Sequence, residues 1–161
     1  NIQIALKKYS GVKRRFEYKY NKNDIMIIDD YAHHPIEIEY TLKAARSGWN
    51  KRLISIFEPH LYTRTKDFYS EFAKALSISD HVIISKIYGA REKPIKNITS
   101  QLIINDLEKI NYKNSIYIEN KNDIPAYLKK IVSKNDMVLC MGAGKINSII
   151  KDIIKEIERG L

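Results

Sequence analysis

The segment IMIIDDYAHHPIEIEYTLKAA, residues 25–45, changes its hydrophobic period halfway along. Ile25 to Ile28 form an unbroken apolar run of strand length, whereas Ile38, Leu42 and Ala45 recur at helical spacing beyond Pro35. Pro35 suits the first turn of a helix, where its missing N–H costs nothing. The strand therefore ends near Asp30, and Tyr31 to His34 make the crossing loop.

The same alternation runs to the end of the chain. Short apolar runs recur at Leu53–Phe57, Val82–Ser85, Ile116–Ile118 and Met137–Met141, and each is too short to be a buried helix. Between them lie helical patterns: Phe68, Phe72 and Leu76; Leu102, Ile103 and Leu107; Tyr127, Leu128, Ile131 and Val132. The last stripe, Ile146, Ile149, Ile150, Ile153, Ile154 and Ile157, has the sharpest helical spacing. Strand-helix alternation of this kind predicts an α/β fold, Rossmann-like, with a mostly parallel sheet and helices on both faces.

A chain of 161 residues is the size of one domain and can bury a core without staples. Its single cysteine, Cys140, lies in the apolar run MVLCM and fits a reducing, cytoplasmic setting. No apolar run approaches the roughly 18 to 20 residues of a membrane span, and the first residues lack the apolar stretch of a signal peptide. The net charge of +9 raises nucleic acid as a partner. Against it, lysines are spread along the chain and alternate with acids, as in KDIIKEIERG, without an aromatic-interleaved RNA-binding pattern. A positive field also favours an anionic small substrate such as a nucleotide.

Residues 1–24 read differently. Ile2, Leu6 and Tyr9 make a short helical pattern that reaches Gly11, and an alternating segment follows at Phe16, Tyr18 and Tyr20. A helix starting at residue 1 with no visible cap reads as the continuation of something longer. Residues 1–13 are therefore expected to end a preceding domain and form a hinge, with 14–161 as one domain.

In parallel sheets ligands sit beyond the carboxyl ends of the strands, which singles out four loops and the hinge. In DDYAHHP, a metal site would need three or four ligands at defined geometry, and adjacent side chains such as His33 and His34 point apart, so no metal is expected. Asp30 is placed either to accept from ribose hydroxyls or, with His34, to cap the following helix. In FEPHLYTRT, His60 and Arg64 stand four residues apart, and Arg64 either grips a carboxylate or phosphate, helped by a Thr63 or Thr65 hydroxyl, or is solvated. MGAGKINSII fails as a phosphate loop, because Leu139 stands where the first Gly of a P-loop belongs and Ile146 follows Lys145. A tight strand-helix turn is its simpler reading. YGAREKP, residues 88–94, suggests no chemistry, and Trp49 reads as packing. In GVKRRFE, Arg14 and Arg15 are either solvated hinge charges or a cation for a phosphate held by another domain.

GVKRRFE, DDYAHHP with its following Glu, FEPHLYTRT and the final GAG, in that order, resemble the C-terminal domain of the Mur ligases over essentially the whole chain. The closest likeness is to members that add L-alanine to UDP-N-acetylmuramate. The resemblance implies a domain that closes over a central ATP- and Mg2+-binding domain, to which residues 1–13 would belong, and over an N-terminal sugar-binding domain. It implies that Arg15, Asp30 and His33 face ATP, that Tyr31, His60 and Arg64 face L-alanine and its junction with ATP, and that the metal is held mainly elsewhere. It further implies an amide-forming ligase acting through an acyl phosphate, inactive as this fragment alone. Two positions depart from the family pattern. Leu61 stands where many members have Arg, and Lys145 where Asp is frequent. A recycling ligase that joins a ready-made tripeptide shares DD-AHHP, but PH-YTRT favours free alanine; a non-catalytic nucleotide-binding module is the remaining alternative.

Overall fold

The computed structural model describes residues 12–160. The helical pattern at Ile2, Leu6 and Tyr9 lies outside the described residues. Six strands, β1 (Glu17–Lys22), β2 (Ile25–Asp30), β3 (Arg52–Phe57), β4 (His81–Ser85), β5 (Ser115–Ile118) and β6 (Asp136–Met141), form one sheet in the order β1-β2-β6-β3-β4-β5. Every pairing is parallel except that of β1 with β2, so β1 is an antiparallel edge strand. Its alternation is broken by a register shift between Tyr18 and Tyr20, which leaves Tyr18 exposed and turns Tyr20 into the core.

Among the described residues five helices cover the sheet: α1 (Pro35–Gly48), α2 (Tyr62–Leu76), α3 (Gln101–Lys109), α4 (Ile124–Ile131) and α5 (Ile150–Glu158). Side chains alternate across each strand and divide the core in two. Met26, Ile28, Leu53, Phe57, Met137 and Leu139 pack under α1, α2 and α3, with Phe57 and Phe72 in ring contact at 5.1 Å. Ile25, Ile27, Ile54, Ile56, Val138 and Cys140 pack under α4 and α5. Helices on both faces explain why the strands read as continuous apolar runs rather than alternating ones.

The isoleucine stripe at the end of the chain is two elements. Ile146–Ile149 is a 3-10 turn, and the α-helix begins at Ile150. The stripe still reaches the core at Ile146, Ile149, Ile150, Ile153 and Ile157, while Ile154 is only partly buried. The helix α4 stops at Ile131, because Val132 already has extended backbone.

Polar contacts fix the far end of the sheet. Asp136, 1% exposed, is held bidentately by Arg52 at 3.0 and 2.9 Å and accepts the Ser133 N–H at 2.8 Å, which pins β6 to β3. Ser55, buried on β3, shares a hydrogen bond of 2.5 Å with Ser79. Among the described residues no helix is long and apolar enough to cross a membrane.

Burial on α1 sets a stability test. Leu42 is fully buried and Tyr40 on the same helix is 69% exposed. Leu42→Ala is expected to cost about 2–5 kcal/mol in urea unfolding, and Tyr40→Ala to stay within about 0.5 kcal/mol of the parent. Equal losses would show that α1 does not pack as described.

Candidate functional site

Because β6 lies between β2 and β3, the loops after all three strands leave the sheet side by side. The Gly142 N–H meets the Asp30 carbonyl at 3.3 Å and the Glu58 N–H meets the Met141 carbonyl at 3.0 Å, which closes the bases of the loops together. The two carboxylates of the DDYAHHP stretch, being adjacent on a strand, separate to opposite faces of the sheet.

Asp30 turns to the face of α1, α2 and α3. One carboxylate oxygen accepts the Ala32 N–H at 2.8 Å and the other accepts the Phe16 N–H at 2.7 Å. It is 5% exposed and lines a cavity of about 600 Å³ with Arg15, Phe16, Ile36, Tyr40 and Trp49. Each oxygen keeps a lone pair that a ligand hydroxyl can use. Trp49 does pack, stacking on Phe16 at 5.2 Å, and it also walls this cavity.

Asp29 turns to the other face, 1% exposed, beside the Arg14 guanidinium at 3.4 Å. Burial pushes its carboxyl above the usual range, and Arg14 offsets only part of that. The paired arginines therefore divide: Arg14 folds inward, whereas Arg15 stays exposed at the cavity rim, its guanidinium 5.8 Å from the Tyr31 ring.

The histidines of the same loop also part. His34 is the N-cap of α1 and its ring lies on Phe68 at 5.1 Å. His33 turns to the crevice, 5.3 Å from the Tyr31 ring and 5.9 Å from the His60 ring. Glu37 takes the His33 and His34 N–H groups at 2.9 and 3.1 Å. Burial pushes the Glu37 carboxyl up, but the His33 N–H and ring and the His34 N–H outweigh it and hold the group below the usual range.

Arg64 meets the Nδ1 of His60 at 3.2 Å. A guanidinium can only donate, so Nδ1 accepts and the neutral ring carries its proton on Nε2. Burial and then the Arg64 charge lower the His60 pKa, which agrees with a neutral ring. Tyr31, His33, His60 and Arg64 thus share one crevice, with Asp30 and Arg15 at the neighbouring cavity.

Two expectations need correction. The Thr63 hydroxyl donates to Glu92 at 2.5 Å, and the buried Thr65 hydroxyl donates to the Leu61 carbonyl at 2.9 Å, so neither is turned to help Arg64. The segment YGAREKP is part of the site. Its Tyr88 stacks on His60 at 5.8 Å, and its Glu92 also accepts the Thr63 N–H at 3.1 Å at the start of α2.

The GAG turn is shaped by close approach. Gly142 has φ of 149°, and a Cβ there would come 2.9 Å from the Glu58 carbonyl oxygen. At Gly144 a Cβ would come 2.7 Å from the Tyr88 ring and 2.9 Å from a Glu58 carboxylate oxygen. Lys145 has an exposed side chain and makes no side-chain cap for the 3-10 turn. Glu58 accepts the Lys145 N–H at 3.0 and 3.2 Å, which ties the turn to the loop after β3; nothing in the structure explains Lys where Asp is frequent. Among the described residues no three His, Cys, Asp or Glu side chains gather to hold a metal ion.

Sequence reasoning named Arg14 only as a hinge charge or a phosphate cation alongside Arg15, and it passed over Glu58 and Tyr88. Strand alternation would have sent Asp29 to the face opposite Asp30 and left it needing a cation; nothing local marks Tyr88, which reaches the site from a long loop.

These features define an α/β domain of Rossmann type, with a crevice of basic, acidic and aromatic side chains at the carboxyl ends of its central strands. Residues 14–144 match the family described as Mur ligase, glutamate ligase domain, and the chain belongs to the Mur ligase family. It is 40% identical over 160 residues to a UDP-N-acetylmuramate–L-alanine ligase of Geotalea uraniireducens, covering 99% of this chain and 35% of that protein. It is 44% identical over 156 residues to the ligase of the same name from Acetivibrio thermocellus, covering 97% of this chain and 33% of the relative. The chain thus spans about a third of the length of these curated relatives. Among solved structures, a UDP-N-acetylmuramate-alanine ligase from Thermotoga maritima superposes with a TM-score of 0.76 at 28% identity, over 98% of this chain and 33% of that one. A murein peptide ligase from Psychrobacter arcticus gives 0.76 at 22% identity, over 96% of this chain and 32% of that one, a likeness of fold alone.

Two measurements check this geometry. The His60 ring, followed by NMR, should titrate below the ordinary value of about 6.5, and Arg64→Ala should bring it part of the way back. Because folded His60 and His81 both resist protonation, unfolded chains bind more protons as pH falls below that value, so stability is full above it and declines beneath it. Gly144→Ala should destabilise by about 1–3 kcal/mol in thermal unfolding, since the Tyr88 ring and the Glu58 carboxylate must both yield.

Proposed function

We propose that this chain is the C-terminal domain of an ATP-dependent ligase that joins L-alanine to UDP-N-acetylmuramate through an acyl phosphate, in cytoplasmic synthesis of the peptidoglycan precursor. The observation that carries this reading is the pairing of two neighbouring subsites: an Asp30-lined cavity edged by Arg15, and the His60–Arg64 pair across from His33 and Tyr31. Near-complete coverage by two alanine ligases at 40% and 44% identity supports it.

In this reading Asp30 accepts from the nucleotide ribose through its spare lone pairs, and Arg15, exposed at the rim, turns its charge to the phosphates. Arg64 holds the alanine carboxylate, and a neutral His60 lets that anion approach without adding a second fixed charge. Tyr31 and His33 stand at the boundary between the two ligands. ATP supplies the activated phosphoryl group when bound, and Mg2+ is assigned in this reading to the preceding part of the enzyme. Residues 1–13 would join that part as its last helix and the hinge. Closure of the domains excludes water from the acyl phosphate and brings the amine to attack distance. The fragment alone would have no ligase activity.

The test follows phosphate release by the full-length polypeptide with ATP, Mg2+ and UDP-N-acetylmuramate, adding L-alanine or a tripeptide. Release with alanine alone is the expected result. Release with tripeptide alone would move the protein to peptide recycling, and release with neither would make it a non-catalytic nucleotide-binding module. In the active enzyme, losing a charge-assisted contact of about 1.5–3 kcal/mol implies that Arg64→Ala raises the KM for alanine roughly ten- to a hundred-fold, with ATP little changed. Asp30→Asn should weaken ATP selectively; a defect confined to alanine would reject the ribose assignment.

A further inference from the structure

We infer that Arg14 is a positioning residue that locks the loops after β2 and β6 to the segment entering the domain, and so sets where Arg15 and Tyr31 stand. Its structural content is independent of the ligase reading; its kinetic consequence rests on that reading.

The Arg14 side chain is 19% exposed and reaches two separate pieces of chain, the end of β2 with its loop and the turn after β6. Its Nε donates to the buried Asp29 carboxylate at 3.4 Å, one terminal nitrogen donates to the Gly144 carbonyl at 3.4 Å, and the other donates to the Gly142 carbonyl. The guanidinium lies 4.8 Å from the centre of the Tyr31 ring. Its backbone is tied as well: the carbonyl accepts the Tyr31 N–H at 2.7 Å and the N–H donates to Glu17 at 2.8 Å. Two residues on, the Phe16 N–H binds Asp30 at 2.7 Å.

The entering segment holds this arrangement against its own preference. Arg14 and Phe16 have φ of 55° and 46°, in the left-handed region that disfavours ordinary side chains. Strain of that sort persists where surrounding contacts over-determine it, and here it lies between two site loops. The geometry also demands Arg. The guanidinium spreads its donors over three nitrogens in a fixed fork and so addresses a carboxylate and two carbonyls at separate points, whereas a lysine ammonium concentrates its three donors on one nitrogen. The second Asp29 oxygen has no hydrogen-bond partner among the described residues, so this carboxylate depends on Arg14 for its hydrogen-bonded cation. Arg15 follows in the chain and shares the Tyr31 ring, so its reach toward the crevice is set by where Arg14 is anchored.

The test compares full-length parent, Arg14→Lys and Arg14→Gln by amide hydrogen exchange and by steady-state kinetics. Expected is faster exchange in residues 31–33 and 142–145 together in both variants, with the rest of the sheet unchanged. In the active enzyme kcat should fall at least ten-fold with the melting temperature held within a few degrees, Arg14→Lys being the milder variant; a misplacement of about 1 Å can cost a hundred-fold. Faster exchange confined to residues 12–17, a uniform rise across the sheet with lowered melting temperature, or a Lys variant equal to the parent would each overturn the assignment. A parent that releases no phosphate with alanine would defeat the ligase reading, and the exchange pattern would still decide the role of Arg14.

Discussion

The insertion of β6 between β2 and β3 is the constraint on which the rest of the molecule depends. All six residues of β6 are buried and both of its edges are paired. The register is fixed on both sides, with Met141 level with Asp30 on one neighbour and with Phe57 on the other. Three loops distant in sequence must therefore leave the sheet at one height. The crevice is a consequence of that levelling. It needs the final strand to find the centre of a sheet whose other parallel strands precede it, so the site is assembled from the most non-local contacts in the fold.

Once the loops are level, buried carboxylates join them. Asp29 holds the entering segment through Arg14, Asp30 holds it through the Phe16 N–H, and Glu58 binds the turn after β6 to the loop after β3. Burial raises the cost of charge at Asp29 and Glu58, and both carboxyls sit above their usual range. Such groups are tolerable only with donors in place, so each is a strong selector of a single loop arrangement. These contacts, rather than the apolar core below, join the loops of the crevice to one another.

Much of the architecture was legible because the strands are buried on both faces and announce themselves as unbroken apolar runs. The parallel sheet, the helix starting at Pro35 and the divergence of His33 from His34 all follow from local chemistry. The 3-10 turn at Ile146 was not legible, since an isoleucine stripe satisfies a helix and a tighter turn almost equally. Nor were the fates of Thr63 and Thr65, whose partners depend on where Glu92 and the Leu61 carbonyl come to lie. Arg14 and Arg15 could not be told apart by sequence: they are adjacent and alike, and only the position of the GAG carbonyls separates them. Tyr31, His33, His60 and Arg64, named from strand ends and short loops, lie together in the structure, whereas Glu58 went unremarked and Tyr88 is carried in by a long connection.

The helix starts at the crevice show why such a domain would work as one partner among several. In a dinucleotide-binding sheet the free N–H groups at these starts receive phosphate. Here Glu37 takes the N–H groups before α1, Glu92 takes that of Thr63 in α2, and Glu58 takes that of Lys145 before the 3-10 turn. Negative side chains already complement the positive ends of these elements, and a phosphate arriving there would meet like charge. Cationic groups at the rim, among them exposed Arg15 and the unused donors of Arg64, are open to an anion. On the proposed reading such a domain would orient a sugar hydroxyl and a carboxylate and leave the triphosphate to another part of the enzyme. In the proposed function the phosphates would come to it already held, with Arg15 completing their surroundings from the open side.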